Sequence, residues 1–163
     1  MFKKNSKVVY GQTGVCIIED IVEKELIRNQ KKFYYVLKPI YQQNSTIYAP
    51  VDNEKIPIRE VISYEDANRL ISDMPKIAKK AKETEVLETE KIITSNNSDD
   101  LAFIVAKIYN KKQNAKALKK KLGFMDEKFM RQAEGLLYGE LAAVLNIPLD
   151  SVPSYIDERL NDE

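Results

Sequence analysis

The amino-acid sequence predicts an α+β protein, in which a small β domain precedes an all-α bundle of about five helices. Short β-type runs separated by turn signals fill residues 7–62, which is typical of a small, strongly bent sheet or barrel. Such a barrel has room for side chains but not for a substrate. From Ser63 onward, apolar residues recur at helical spacing instead. We therefore predict two domains, residues 1–62 and residues 63–163.

Turn and strand signals order the predicted β domain. Gly11 and Gly14 flank two polar residues and predict a tight turn, because glycine adopts a positive φ without steric cost. Residues 32–38 are apolar or aromatic on both alternating faces, which predicts an interior strand. Pro50 has no N–H group, so it places the strand of residues 46–51 at an edge of the sheet. An edge strand is a template for pairing with a strand of another protein.

Capping residues and prolines divide the helical domain. Ser63 predicts a helix N-cap with Asp66 in the capping-box position. We expect Pro75 to end this helix or to begin the next element. Residues 76–90 are first basic and then acidic, which is typical of a solvated helix. Three more helix starts are predicted, at Ser98, Asp126 and Pro153.

The composition disfavours catalysis and metal binding. The chain has no histidine, which is the commonest proton shuttle near neutral pH and the commonest metal ligand. The single cysteine, Cys16, lies in an apolar run and is expected in the core. Glu85, Glu88 and Glu90 could hold a cation, but such a run is more often a solvated helix face. We therefore expect no enzyme, no metal and no cofactor.

The same composition predicts a soluble protein of the cytoplasm. The first residues lack the apolar segment of a signal peptide, and no run of about 18 apolar residues occurs. One unpaired cysteine fits a reducing compartment. The net charge is +1, so only local clustering can point to nucleic acid.

Lysines do cluster in one place. Residues 107–121 contain seven lysines and no acid. Such a cluster could bind phosphates, with a salt-dependent affinity, because each neutralised phosphate releases counterions. It could also be a solvated loop that keeps the protein soluble, and the composition leaves both interpretations open.

Five segments resemble the CarD/CdnL family of bacterial transcription regulators. In order, they are V-V-Y-G-Q-T-G-V-C-I-I from Val8, Y-Y-V-L-K from Tyr34, T-I-Y-A-P-V-D-N from Thr46, I-R-E-V-I-S from Ile58 and Q-A-E-G-L-L-Y-G-E-L-A from Gln132. The resemblance implies a Tudor-like (SH3-like) RNA polymerase interaction domain followed by a helical domain. It implies that the first domain docks on the polymerase β subunit, partly by sheet-edge pairing. The second would approach promoter DNA and modulate open-complex formation.

Carried over residue by residue, the resemblance assigns the β-subunit contact to Lys24 and Tyr48, with Ile47 and Pro50 as neighbours. The family often has an arginine where this chain has Tyr48, so the contact must differ here. Many members also carry a tryptophan that wedges against DNA, and the corresponding region falls near Ala81. This chain has no tryptophan at all.

Without that tryptophan, DNA contact is expected to rest on lysines that neutralise phosphates. Phosphate contacts position a protein without specifying sequence, so the predicted binding of promoter DNA is not sequence-specific. The candidate lysines are Lys76, Lys79, Lys80, Lys82, Lys111, Lys112, Lys116 and Lys119.

Two functions follow from these observations. The first is a monomeric regulator that docks on RNA polymerase and reaches promoter DNA. The alternative is a general nucleic-acid-binding protein that acts through its lysines, independently of polymerase.

Overall fold

A computed structural model describes residues 1–42, 44–53, 55–86 and 88–161 of the chain. Its contacts divide the chain into two compact units, Met1–Val61 and Ile62–Glu163. We call them the β unit and the helical unit.

The β unit is an antiparallel sheet. Its strands pair in the order β4-β3-β2-β1-β5, so β4 and β5 lie at opposite edges. Across the described residues these two strands do not pair with each other, and closure into a Tudor-like barrel is therefore not confirmed. The strands are β1 Lys7–Tyr10, β2 Gly14–Ile27, β3 Gln30–Pro39, β4 Ile47–Pro50 and β5 Ile58–Glu60.

The predicted glycine turn joins β1 to β2. Gly11, the first residue of a 3₁₀ turn, and Gly14, which follows the turn, both have a positive φ, +47° and +89°. A Cβ atom on Gly11 would lie 2.7 Å from Cγ2 of Ile56, so any side chain at this position would clash. The prediction of a tight turn is confirmed.

One face of the sheet forms the core of the β unit. Strand β3 has partners on both sides, β2 and β4, as its two apolar faces predicted. Cys16 is fully buried in this core, and burial raises the pKa of its thiol to about 11. The prediction that this cysteine is a core residue is confirmed. The core residues are Val8, Tyr10, Cys16, Ile18, Tyr35, Leu37 and Ala49.

The helical unit contains five α-helices in its described residues. They are α1 Tyr64–Glu83, α2 Thr89–Ser95, α3 Ser98–Ala117, α4 Phe124–Leu145 and α5 Val152–Asn161. Their apolar faces share one core, with fully buried side chains from α1, α2, α3 and α4. The number of helices agrees with the prediction, although several bounds differ.

Helix α1 begins as predicted but does not end at Pro75. The Oγ atom of Ser63 accepts a hydrogen bond from the Asp66 N–H group at 3.0 Å. The helix then runs through Pro75 to Glu83, so the predicted break is wrong. A proline inside a helix costs about 3 kcal/mol. The buried face continues from Leu70 and Ile71 to Ala81 across the proline, and burial of such side chains offsets that cost.

The N-caps of α3 and α4 lie one and three residues before the predicted ones. Asn97, not Ser98, is the N-cap of α3, and its Oδ1 atom accepts from the Asp100 N–H group at 3.1 Å. Gly123 is the N-cap of α4, so Asp126 lies in the first turn instead. An acidic residue still stabilises that turn, because the helix dipole is positive there.

A buried carboxyl group fixes the start of the helical unit. Glu140 of α4 is only 1% exposed, and its Oε2 atom accepts a hydrogen bond from the Ile62 N–H group at 2.9 Å. Ile62 is the first residue of this unit. The contact therefore ties the entering chain to the longest helix.

Candidate functional site

The β4 edge is the first candidate surface. Hydrogen-bonded and non-hydrogen-bonded residue pairs alternate along an antiparallel ladder. The Val51 N–H group donates to the Phe33 carbonyl at 3.0 Å, and the register continues through Tyr34–Pro50 to Val36–Tyr48. The alternation therefore turns the backbone groups of Tyr48 and Pro50 away from β3. We use the name β4 edge for these outward backbone groups.

Pro50 fits this arrangement because its position needs no ladder donor. Its nitrogen is on the outward side, where a missing N–H group costs no bond to β3. Its carbonyl accepts a hydrogen bond from the Asn53 N–H group at 3.0 Å. The outward N–H group of the β4 edge therefore belongs to Tyr48, whose carbonyl also points outward.

Lys24 and Tyr48, predicted together, do meet in the structure. Lys24 is on β2 and Tyr48 on β4, and their side chains bridge β3 on one face of the sheet. The Lys24 Nζ atom lies 3.2 Å from the Tyr48 hydroxyl and 4.2 Å from the centre of its ring. The ammonium group thus supplies a positive charge beside Tyr48, at the position where the resemblance implies an arginine.

The neighbours of Tyr48 divide between two faces. Tyr48 is 38% exposed. Ile47 is half-buried and packs against the core on the opposite face, whereas half-buried Pro50 shares the face of Tyr48. The structure therefore groups Lys24, Tyr48 and Pro50 on one face and leaves Ile47 on the other.

An ion pair beside this group was not predicted. Lys32 lies opposite Lys24 in the register, and its Nζ atom is 3.9 Å from a carboxyl oxygen of Asp52. The Lys32 side chain is 43% exposed and that of Asp52 is 70% exposed. Period-two alternation places Lys32 on the face of Tyr34, which could have signalled its position, but pairing with Asp52 depends on the turn after β4.

The predicted DNA lysines of α1 form an exposed surface. Ala67, Leu70, Ile71 and Ala81 define the buried stripe of the helix. Helical spacing puts Lys76, Lys79 and Lys80 on the opposite side, with Lys82 at its flank. All four lysines are exposed.

The lysines of residues 107–121 are not equivalent. Lys107 is only half-exposed, and its Nζ atom donates to the carbonyls of Ala81, at 2.8 Å, and of Thr84. It therefore caps the C-terminal end of α1, where the helix dipole favours a cation. Lys111 lies 3.5 Å from a carboxyl oxygen of Asp126.

The remaining lysines of this run surround the end of α3. Lys112 and Lys116 are exposed on the helix, and Lys119 follows it with a φ of +58°. The Lys120 N–H group donates to the Ala115 carbonyl at 2.8 Å, and that of Lys119 donates to the Lys116 carbonyl at 3.0 Å. These two bonds form a Schellman motif. Most of residues 107–121 is helical and belongs to α3.

Exposed apolar side chains accompany these lysines, and the sequence prediction missed them. Leu118 is 69%, Phe124 76% and Met125 48% exposed. We call residues 118–125 the basic turn, since they join α3 to α4 and include three lysines, Lys119, Lys120 and Lys121. The available signal was that Phe124 directly follows a glycine, outside the apolar stripe of α4.

The helical unit also carries an apolar groove of about 450 Å³ between α1, α3, α4 and α5. Tyr138 lies in its wall. Burial, together with nearby Glu134 and Asp157, raises the pKa of this tyrosine to about 12. Its phenol therefore stays protonated near neutral pH.

The described part of the chain contains neither a cluster of metal-binding side chains nor a helix suited to cross a membrane. Its residues contain no group of three or more histidine, cysteine, aspartate or glutamate side chains placed to hold a metal ion. None of its helices combines the length and apolar character that crossing a bilayer requires.

Comparison with known proteins identifies the β unit. Residues 2–62 match the family model described as the CarD-like/TRCF RID domain. This domain type interacts with the RNA polymerase β subunit and is a binding and regulatory domain. The resemblance inferred from the β motifs is thus confirmed over these residues. No curated protein matches the chain.

Proposed function

We propose, from the premise that residues 2–62 are a CarD-like/TRCF RID domain, that this protein is a transcription regulator that docks on the RNA polymerase β subunit. The β unit provides the docking surface. The helical unit reaches promoter DNA through its lysines and modulates open-complex formation. In this proposal the protein acts as a monomer in the cytoplasm.

The observation that carries the proposal is the β4 edge. The N–H and carbonyl groups of Tyr48 point away from β3, which is the geometry that another strand needs in order to extend the sheet. Lys24 places its ammonium group against the Tyr48 ring. A backbone ladder supplies affinity, and a rim cation selects a partner with an acidic residue at the matching position.

Substitution of Tyr48 by proline tests the docking mode. Tyr48→Pro removes the outward N–H group, as Pro50 already does two residues later, and leaves the partner's carbonyl unpaired. We expect the affinity of the full chain for the purified β subunit to fall about tenfold, because an unmade hydrogen bond of this kind costs about 1–3 kcal/mol. Tyr48→Ala keeps the N–H group and is expected to weaken binding by about threefold.

The opposite edge offers a matched control. On β5, the Val61 N–H group donates to the Lys7 carbonyl, so the alternation turns the backbone of Glu60 outward. Glu60→Pro therefore makes the same chemical change on the other edge strand and should leave binding unchanged. Protection of the Cys16 thiol from labelling reports that each variant keeps its fold. Unchanged binding by Tyr48→Pro, or equal loss in Glu60→Pro, would overturn the proposal.

A further inference from the structure

The two lysine groups of the helical unit differ in the exposed apolar side chains that accompany them. The α1 group, Lys76 to Lys82, offers cations alone, because the large exposed apolar side chain of that helix, Tyr64, lies at its far end. The basic turn combines three lysines with the exposed side chains of Leu118, Phe124 and Met125. Phosphate neutralisation needs only the first kind of surface, whereas contact with bases needs the second.

Charge around the basic turn remains positive after its ion pairs are considered. Residues 116–128 contain five lysines and two acids, Asp126 and Glu127. Asp126 is already paired with Lys111, which lies outside this segment. The surface therefore complements a polyanion that also has apolar faces.

The backbone of the turn holds this surface in place. The Schellman motif fixes Lys119 in the left-handed conformation at the end of α3. Residues 120–123 then lead directly to Phe124, the first residue of α4. Phe124 is thus presented at the start of a helix, three residues after the consecutive lysines of the turn, and it is 76% exposed.

We propose that the basic turn binds single-stranded DNA, with Phe124 stacking on an unpaired base while Lys119, Lys120 and Lys121 neutralise phosphates. Aromatic rings next to a positively charged groove are the recurrent means of holding single strands without sequence preference. A paired base keeps its faces inside the duplex, so the exposed ring favours the single strand. The inference deepens the proposed function, since melted promoter DNA is single-stranded, and it rests on that function for its biological setting.

Fluorescence anisotropy of the full-length protein with a labelled 30-nucleotide DNA, single-stranded or as a duplex, tests the inference. Phe124→Ala should weaken single-strand binding about tenfold, within the range found when a stacking residue is removed, without changing the salt slope. Phe124→Trp should preserve or strengthen binding. Replacement of Lys119, Lys120 and Lys121 by glutamine should reduce the slope of log K against log salt by roughly two, at about 0.7 per contact.

A control variant separates stacking from a general loss of aromatic surface. Tyr64 is 60% exposed on the same unit, but two acids, Glu65 and Asp66, follow it. Tyr64→Ala should leave single-strand binding unchanged. Equal affinities of wild type and Phe124→Ala would overturn the inference, and so would a duplex preference that Phe124→Ala leaves intact.

Two further outcomes distinguish this inference from the proposed function. A protein that binds phosphatidylglycerol vesicles but not single-stranded DNA would show that the basic turn is a membrane surface, which overturns the inference. Docking on the polymerase β subunit is measured separately. If the protein docks on the β subunit but Phe124→Ala does not change DNA binding, only the inference fails. If Tyr48→Pro docks as tightly as wild type while Phe124→Ala weakens single-strand binding, only the proposed function fails.

Discussion

The β4 edge and the basic turn present their chemistry in opposite ways. At the β4 edge, the sheet register orients backbone groups of Tyr48, and one lysine, Lys24, accompanies them. At the basic turn, side chains carry the chemistry, and the backbone only holds their starting points. The first surface is weakly charged and depends on the direction of its hydrogen-bonding groups. The second is strongly charged and can bind a ligand in several orientations.

Because of this difference, the two surfaces should respond to different perturbations. A backbone ladder is sensitive to a missing N–H group and tolerant of side-chain changes at the same residue. A lysine surface is sensitive to salt and to each lost charge.

Salt should separate the two surfaces most strongly. With Lys119, Lys120 and Lys121 each neutralising a phosphate, raising NaCl from 50 to 200 mM should weaken single-strand binding by roughly 20-fold. Docking on the β subunit should weaken by no more than about threefold, because it depends on one rim cation. Titrations of both partners across this salt range measure the two slopes. Equal salt slopes for DNA binding and for docking on the β subunit would contradict this prediction.

Glu140 tests whether the helical unit can lose stability alone. Glu140→Ala removes the hydrogen-bond partner of the partly buried Ile62 N–H group and leaves a cavity where the buried carboxyl side chain lay, so we expect the free energy of unfolding of the helical unit to fall by about 2–4 kcal/mol. Urea unfolding followed by circular dichroism at 222 nm reports the helices. Labelling of the Cys16 thiol reports the β unit, because that thiol is fully buried in its core.

The exposed Glu158 of α5 supplies the control for this experiment. Glu158→Ala should change the unfolding free energy by less than about 0.5 kcal/mol. In Glu140→Ala, Cys16 should remain protected at urea concentrations that already unfold the helices. Simultaneous exposure of Cys16 and loss of helix would show that the units unfold together, which contradicts this prediction.

Lys107 tests which lysines of residues 107–121 contribute to DNA binding. Although Lys107 belongs to the same lysine run, it caps α1 through the carbonyls of Ala81 and Thr84. Lys107→Met should therefore lower the free energy of unfolding by about 1 kcal/mol and leave the salt slope of DNA binding unchanged. Lys120→Met should do the reverse, with little effect on stability and a slope smaller by about 0.7. Equal behaviour of the two variants would mean that the run acts as one cluster.

Local signals predicted much of the fold. The Ser63 cap, the glycine turn at Gly11, the interior position of β3 and the burial of Cys16 each depend on a few neighbouring residues, and all are found. The break expected at Pro75 was wrong, because the apolar face on both sides of the proline outweighs its local penalty.

The sites were less accessible to sequence reasoning, because their contacts span distant positions. Lys24 and Tyr48 meet only through the register of two strands with β3. Lys107 reaches carbonyl groups more than twenty residues earlier in the chain. Phe124 looks like an ordinary apolar residue until the turn before α4 leaves it exposed. The residue types were visible in the sequence, but their partners were not.

Lys119 brings stability and charge into conflict at a single residue. Its φ of +58° is costly for a side chain and easy for glycine, so Lys119→Gly should raise the free energy of unfolding by about 0.5 kcal/mol. The same substitution removes a phosphate contact and should lower the salt slope of single-strand binding by about 0.7. Lys120→Gly, at a residue whose φ is not positive, loses the same charge without the gain in stability. If Lys119→Gly is more stable and also binds DNA as tightly as wild type, Lys119 makes no phosphate contact. The basic turn would then differ from the β4 edge in its residue types but not in the kind of ligand contact it makes.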